Sequence, residues 1–256
     1  MNFTRKNTST GWLVFFIAFI TYYLTVEPTA SYWDCSEYIA TSAKLQVGHP
    51  PGAPLFQMMG AFFSSFASQP ENVAFSVNMM SVMASAFTIL FMFWSLTRMI
   101  KRFVIKDESP KGPNEILVLG AAAVGALSYA FSDSFWFNAV EAEVYAMAMF
   151  ITSVMFWLGL RWEVEMHNPR GDRWLVLIAF LIGLSFGVHF MGLLTVPAIG
   201  MLYYFRNYTF SWKSFVIANV VSVAILLFVF KLLLPLVLIY SGIVEDFFLL
   251  YFGFPL

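Results

Sequence analysis

The sequence predicts an all-α integral membrane protein with about seven transmembrane helices. Apolar and aromatic residues make up 60% of the chain, charged residues only 11%, and the mean hydropathy is +0.75. A soluble domain carries about 25% charged residues. Long apolar stretches alternate with polar connections, and about 20 apolar residues cross roughly 30 Å of hydrocarbon. The basic residues, moreover, sort to one side when these stretches are taken as spans.

The predicted spans follow the apolar stretches in chain order. They cover residues 11–27, 73–99, 116–132, 145–161, 174–190, 191–206 and 214–240. The first span follows Arg5 and Lys6, so it could be a signal peptide. Pro28 would stand three residues before a cut after Ala30, which is a poor cleavage site, and an uncleaved signal anchor is favoured.

Residues 54–67 are apolar but are not predicted to cross. Their 14 residues would reach only about 21 Å as a helix. Pro54 suits the first position of a helix, and large apolar residues recur at helical spacing with polar interruptions. We therefore expect a helix that lies along the membrane surface or enters it and returns.

Charge distribution supports this choice. With seven spans, 12 of the 14 basic residues fall on one side: Arg5, Lys6, those within 98–111 and 161–173, Arg206 and Lys213. The positive-inside rule makes that side the cytoplasm. If residues 54–67 crossed as well, the 98–111 cluster would lie opposite Arg5 and Lys6. The first outer loop, residues 27–72, then faces away from the cytoplasm.

This outer loop contains the most unusual polar segment, "SYWDCSEYIATSAKLQVGHPPGAPLF". Asp34 and Glu37 are three residues apart on a predicted helix and share a face, and Lys44 follows two to three turns later. His49 precedes two prolines and Gly52, which predict an extended segment and a turn. A carboxylate at the membrane surface can act as a general base when partial burial raises its pKa.

Four further ionisable residues are predicted to lie on the same side. They are Glu141, Glu143, His189 and Lys231. An exposed loop, a hydrogen-bonded structural histidine and a lysine that extends to the head groups are the alternative interpretations. Ionisable groups at membrane depth are nevertheless functional candidates, so we expect these residues and Lys44 and His49 to bind substrate.

Other chemistries have little support in the sequence. There is no glycine-rich phosphate loop, cysteine-rich metal site or nucleic-acid-binding basic patch, and the single Cys35 cannot form an intramolecular disulfide. Asp34, Glu37 and His49 could form a hard metal site, but their spacing matches no strong metal signature. No metal ligand is therefore assigned, and a divalent metal requirement stays open.

Three segments resemble a known family. They are "YWDCSEYIATSAKLQVGHPPGAPLFQMMG", "FWFNAVEAEVYAM" and "GLSFGVHFMGLL". They are similar to a bacterial group, long labelled a domain of unknown function, within the GT-C membrane glycosyltransferases and near the protein O-mannosyltransferases. Ser36 stands where this group more often has glycine, a change that leaves both carboxylates in place.

The resemblance implies a GT-C module of seven spans, whose first outer loop carries an essential acid and surface helices. By position, Asp34 matches the catalytic acid and Glu37 its partner. The implied donor is a sugar on a polyprenyl phosphate, and the acceptor is a protein or glycan outside the cytoplasm. The implied location is the bacterial inner membrane with the site facing the periplasm. Residues 1–256 would form the GT-C-like domain, followed in longer members by a soluble region.

Three hypotheses are consistent with these features. The first is an inverting glycosyltransferase in which Asp34 is the base and Lys44, His189 or Lys231 stabilises the leaving phosphate. The second is a transporter or flippase for a lipid-linked or anionic substrate, which should carry polar groups at the bilayer midplane and often an inverted repeat. No repeat is evident, which favours the enzyme. The third is a scaffold subunit whose outer loop tolerates alanine.

Overall fold

The computed structural model describes residues 2–50, 52–105 and 110–253, and each regular element in these ranges is helical. The α-helices are α1 (Phe3–Leu24), α2 (Cys35–Lys44), α3 (Pro54–Ser64), α4 (Val73–Ile105), α5 (Pro113–Ala130), α6 (Asp133–Ala139), α7 (Val144–Glu165), α8 (Arg173–Ser185), α9 (Thr195–Asn207), α10 (Trp212–Phe228) and α11 (Leu234–Phe252). Pro70–Asn72 and Phe190–Leu194 are 3₁₀ turns, and Val229–Leu233 is a π-helical turn. The predicted all-helical class is confirmed.

Four helical segments within the described ranges are long and apolar enough to cross a membrane. They are Pro70–Phe103, Pro113–Ala130, Val144–Glu165 and Trp212–Phe252, and they overlap the second, third, fourth and seventh predicted spans. The other three predicted spans correspond to α1, α8 and α9, which are not among these four segments. In α1 the apolar part begins only at Gly11, and α8 and α9 have 13 residues each, enough for about 20 Å. Helix α8 ends at Ser185, five residues before the predicted end of that span.

The chain forms two compact units, residues 1–192 and residues 193–256. Helix α4 is the centre of the first unit and packs against α1, α5 and α7. Its partner α5 presents Ala122, Ala126 and Ala130, all fully buried and four residues apart. Such small side chains let helix backbones approach closely where no water drives association. The alanine spacing therefore explains the tight contact between α4 and α5.

Polar contacts define the two ends of the first unit. At one end Lys6 lies 2.7 Å from Glu115, and Arg102 lies 2.5 Å from Glu163. The starts of α1 and α5 and the ends of α4 and α7 thus share this end, which carries the basic residues. At the other end Trp136 Nε1 donates to Thr25 Oγ1 over 2.9 Å. The segment that contains Asp34 belongs to this second end.

Helices α2 and α3 are joined by the predicted turn, in which the Gly52 N–H donates to the His49 carbonyl over 2.8 Å, and we call this connection the elbow. Helix α3 begins at Pro54, as predicted, and its 11 residues reach only about 17 Å. A Cβ at Gly60 would collide with Ser42, so glycine allows α3 to lie directly against α2. The backbone N–H groups of Leu55 and Phe56 both donate to the Gly187 carbonyl, over 2.8 and 3.1 Å. These bonds join the start of α3 to the chain just after α8.

The second unit contains α9, α10 and α11. Helix α9 packs against α10, where Gly200 accommodates Ser222 and the Tyr204 and Ser214 hydroxyls lie 2.7 Å apart. Helices α10 and α11 form one continuous segment through the π-helical turn. Only 6% of the most apolar 18-residue stretch of this segment is buried. Its exposed side chains are mostly apolar, which suits a lipid environment.

Candidate active site

Asp34 stands at the N-cap of α2, at the end of a segment that α4 holds in place. The buried Asn78 side chain of α4 donates to the carbonyls of Glu27 and Thr29, over 2.7 and 2.9 Å. Trp33 has φ of 63°, a backbone region that non-glycine residues rarely occupy and that concentrates at functional sites. The Asp34 side chain makes no capping bond. Its carboxylate is about half exposed and open to a ligand.

Glu37 holds His49 at two points. Its Oε1 accepts the His49 backbone N–H over 2.6 Å, and its Oε2 lies 3.1 Å from Nδ1 of the ring. A Cβ at Gly48 would crowd both Gln57 and Glu37, so glycine is needed beside this contact. The backbone bond from His49, followed by the bond from its ring, lowers the pKa of Glu37. Glu37 is therefore ionised at neutral pH.

The His49 ring also approaches Asp34. Its Nε2 lies 3.7 Å from Asp34 Oδ2, so the imidazole stands between the two carboxylates. One ligand atom from each of the three residues lies within 4.8 Å of the others. Carboxylate oxygens with an imidazole nitrogen suit a divalent cation. Each Glu37 oxygen accepts one bond from His49 and keeps a second lone pair, so Glu37 could bind such a cation while it still holds the imidazole.

Glu141 and Glu143 lie just before α7 and are almost fully buried. Ser31 donates a hydrogen bond to Glu141 Oε2, and burial raises the pKa of Glu141. The Glu143 carboxylate accepts from the Asp34 backbone N–H, and its Oε1 is buried without a partner in the described structure. Burial first, then the charges of Glu141 and Asp34, raise the pKa of Glu143 to about 7. Glu143 therefore titrates near neutral pH.

Two adjoining pockets meet at these carboxylates. One, of about 250 Å³, is lined by Trp33, Asp34, Phe137, Asn138, Glu141, Glu143 and Tyr145. The other, of about 230 Å³, includes His49 and His189 in its lining. Asp34, Glu143 and Tyr145 line both pockets. Two ligands in these pockets would therefore meet at the same pair of carboxylates.

His189 follows α8 and lines the second pocket. Its Nδ1 accepts the Met191 backbone N–H over 3.2 Å, so Nε2 carries the proton of the neutral ring. Burial lowers the pKa of His189. Tyr145 packs against it with ring centroids 5.3 Å apart. His189 therefore offers a neutral N–H donor rather than a fixed positive charge.

Six of the eight residues predicted for the site lie close together at the elbow and before α7. They are Asp34, Glu37, His49, Glu141, Glu143 and His189. Lys44 is exposed at the end of α2 and lines neither pocket. There it complements the negative end of the helix dipole. Lys231 belongs to the second unit and lies in its π-helical turn.

Three residues outside the predicted set also shape the site. Tyr145 lines both pockets, and Tyr38 lines the second. Tyr38 stands one turn after Asp34, a spacing from which the sequence could have indicated it. Asn78 anchors the segment before Asp34. A single asparagine within an apolar span is a sequence signal for such a role, because polar groups at that depth need partners.

Comparisons with known proteins cover most of this region. A family described as the protein O-mannosyl-transferase TMEM260 N-terminal domain matches residues 34–212. The protein O-mannosyl-transferase tmem260 of Dictyostelium discoideum is 24% identical over 221 residues, which is 82% of this chain and 25% of that protein. The chain thus spans about a quarter of the length of this curated relative. No solved structure matches the chain significantly.

Proposed function

Because the chain belongs to the protein O-mannosyl-transferase TMEM260 N-terminal domain family, we propose that it is the membrane-embedded catalytic part of a glycosyltransferase. The reaction moves mannose or another hexose from a polyprenyl-phosphate carrier to an acceptor outside the cytoplasm, a protein hydroxyl in the first instance. The family match begins at Asp34 and includes the six clustered site residues.

The observation that carries this proposal is the sharing of Asp34 and Glu143 by two adjoining pockets. A transfer reaction needs two substrates whose reacting atoms meet beside one proton acceptor. We assign the pocket lined by His189 to the sugar phosphate, because a neutral N–H can bond a phosphate oxygen. The pocket lined by Trp33 and Asn138 then receives the acceptor.

In the proposed step, the acceptor hydroxyl oxygen attacks the anomeric carbon of the donor sugar. The new carbon–oxygen bond forms as the bond from that carbon to the phosphate oxygen breaks, and its electron pair leaves with the lipid phosphate. Asp34 accepts the hydroxyl proton, since its carboxylate is exposed to both pockets. Attack opposite to the departing phosphate inverts the anomeric centre. The products are the glycosylated acceptor and the free polyprenyl phosphate.

The neighbouring groups fix this geometry. Glu37 holds His49 beside Asp34, and an imidazole in that position orients the Asp34 carboxylate. Glu143 has a pKa of about 7 and lines both pockets, so its protonated form donates a hydrogen bond to a substrate oxygen. The neutral N–H of His189 stabilises the leaving phosphate by a charge-assisted hydrogen bond.

We further propose the seven-span GT-C arrangement for this chain. Helices α1, α8 and α9 would cross in addition to the four long segments, and the basic end of the first unit would face the cytoplasm. The active site would then face the exterior, which is the periplasm for a bacterial inner membrane. A lipid-linked donor reaches a site at this depth directly from the outer leaflet.

A direct test is transfer by purified full-length protein. It is incubated with defined polyprenyl-phosphate hexoses and acceptor peptides rich in serine and threonine, and mass spectrometry follows the peptide. We expect one peptide to gain the mass of a hexose with the mannose donor, and the Asp34→Asn variant to leave it unmodified. Movement of intact lipid-linked sugar across a vesicle membrane without transfer would establish the transporter instead.

A further inference from the structure

A further pocket of the first unit lies far from the candidate active site. It has a volume of about 480 Å³ and is formed between the start of α1 and the ends of α4 and α7. Along α7, Glu143 and Arg161 are 18 residues apart, or roughly 27 Å. This is close to the thickness of the hydrocarbon core. The pocket therefore lies at the opposite membrane surface from Asp34.

The lining of this pocket is positively charged. Arg98, Lys101 and Arg161 contribute cations, and no carboxylate lines it among the described residues. Arg161 forms an ion pair with Glu165 over 3.5 Å. Glu165 is held more closely by Arg173, at 2.8 Å, and also accepts from Trp174 Nε1. The charge of Arg161 is thus only weakly offset.

Two buried polar atoms in the pocket lining also lack a partner within the described residues. Arg161 Nε is a donor without an acceptor, and Asn7 Oδ1 is an acceptor without a donor. Buried polar atoms are usually satisfied, so each such exception needs an explanation. Both residues line the pocket, so a ligand that carries an anionic oxygen and a hydroxyl group would meet the guanidinium group of Arg161 and the side-chain amide of Asn7.

Two tryptophan side chains lie at the same end of the helices as this basic pocket. Trp94 and Trp157 line the pocket with ring centroids 6.2 Å apart, and tryptophan is enriched where membranes meet water. Basic pockets between membrane helices on the cytoplasmic side bind phosphate head groups. We propose that this pocket binds the head group of an anionic phospholipid that carries a phosphate and a hydroxyl group, such as a glycerol phosphate. This proposal is independent of the transfer reaction.

The test uses the full chain, purified in detergent and titrated with phosphatidylglycerol while native mass spectrometry counts the retained lipids. Lys101→Gln removes one cation from the pocket, and Arg5→Gln is the matched control. Arg5 is exposed on α1 beside Thr4, which lines the pocket, but Arg5 itself does not line it. We expect Lys101→Gln to weaken phosphatidylglycerol binding about fivefold, Arg161→Gln to weaken it at least as much, and Arg5→Gln to leave it unchanged.

Two further measurements test whether the pocket binds a lipid head group or free phosphate. Phosphatidylcholine should not be retained selectively, and millimolar inorganic phosphate should not displace phosphatidylglycerol. Equal losses in Lys101→Gln and Arg5→Gln would overturn the proposal, because diffuse surface charge would then explain the binding. Displacement by inorganic phosphate at matching concentrations would overturn the assignment to a lipid. Thermal unfolding of each variant checks folding, and Lys101→Gln decides the question if Arg161→Gln does not fold.

Discussion

Glu37 fixes His49 through both its backbone and its ring, with the backbone N–H 2.6 Å from Oε1 and Nδ1 3.1 Å from Oε2. One carboxylate thereby sets both the path of the chain after α2 and the direction of the imidazole. The second ring nitrogen is left 3.7 Å from Asp34. The elbow is thus part of the site rather than a connection between helices.

Glu37→Gln should loosen this elbow. Glutamine can still accept from one N–H, but it lacks the charge that strengthens both bonds. Because the pKa of Glu37 is lowered in the fold, the contact is present above the ordinary carboxyl pKa and is lost as pH falls through the lowered value. At pH 7 we expect amide hydrogen exchange in residues 45–50 to rise about tenfold. The control is Glu71→Gln, which changes an exposed acid of the same loop and should leave exchange in residues 45–50 unchanged. Equal exchange in the two variants would show that Glu37 does not hold His49 in place.

The Asp34→Asn variant tests whether Asp34 is a general base or has only a structural role. Asparagine keeps the shape and hydrogen-bonding capacity of the side chain but cannot take a proton. Transfer should fall by about 10² or more, which is what general bases contribute. The thermal unfolding midpoint should stay near that of the wild type. Full activity would remove Asp34 from the mechanism, whereas loss of the folded state would give it a structural role.

Glu143 should make stability depend on pH. Its folded pKa of about 7 lies above the ordinary glutamate value, so its contribution is fully present below about pH 4.3 and is lost as pH rises through 7. The loss is on the order of 1–3 kcal/mol. Glu143→Gln should therefore flatten the unfolding midpoint between pH 5 and 8 relative to the wild type. Parallel profiles for the two proteins would show that Glu143 does not titrate in this range.

The leaving phosphate provides a comparison of three residues. His189 lines the pocket that contains Asp34, whereas Lys44 does not. We expect His189→Ala to raise the KM for the lipid-linked donor about tenfold, the value of one lost hydrogen bond to a charged group. Lys44→Ala and Lys231→Met should be close to wild type. If only Lys231→Met raises the KM for the donor, the phosphate site belongs to the second unit. If none of the three variants changes this KM, the proposed phosphate site is wrong.

Topology can be tested with cysteine labelling. The native Cys35 is fully buried, so it should give little background with a reagent that cannot cross membranes. In intact cells we expect such a reagent to modify Glu71→Cys but not Lys111→Cys. Lys111→Cys should react after the membrane is opened. Modification of both positions from outside would contradict the proposed sidedness.

Local features of the fold could be predicted from the sequence. Pro54 indicated where α3 begins, and the spacing of Asp34 and Glu37 indicated a shared helix face. The C-terminal end of α8 could not be predicted from the sequence. Apolar composition continues past Ser185, but backbone turns at Phe186, Gly187 and Val188 end the helix there. Part of the predicted cluster 98–111, residues 106–109, lies outside the described residues.

The sequence indicated where the site lies better than it indicated which residues form it. The Asp34 backbone N–H donates to the Glu143 carboxylate across 109 positions of sequence, and no local sequence pattern indicates such a contact. Lys44 is predicted to bind substrate because it is one of the few basic residues on the outer side of the membrane. A helix of ten residues carries its last side chain about 15 Å from its first, which is why Lys44 lies elsewhere.

The carbonyl of Gly187 accepts from both Leu55 and Phe56, and His189 is two residues further along. Helix α3 exposes Met58 and Phe62, side chains suited to contact with lipid tails. A tilt of α3 must therefore either carry the His189 segment with it or break two hydrogen bonds. A bilayer that moves α3 would in this way also move His189 and change the width of the pocket beside Asp34.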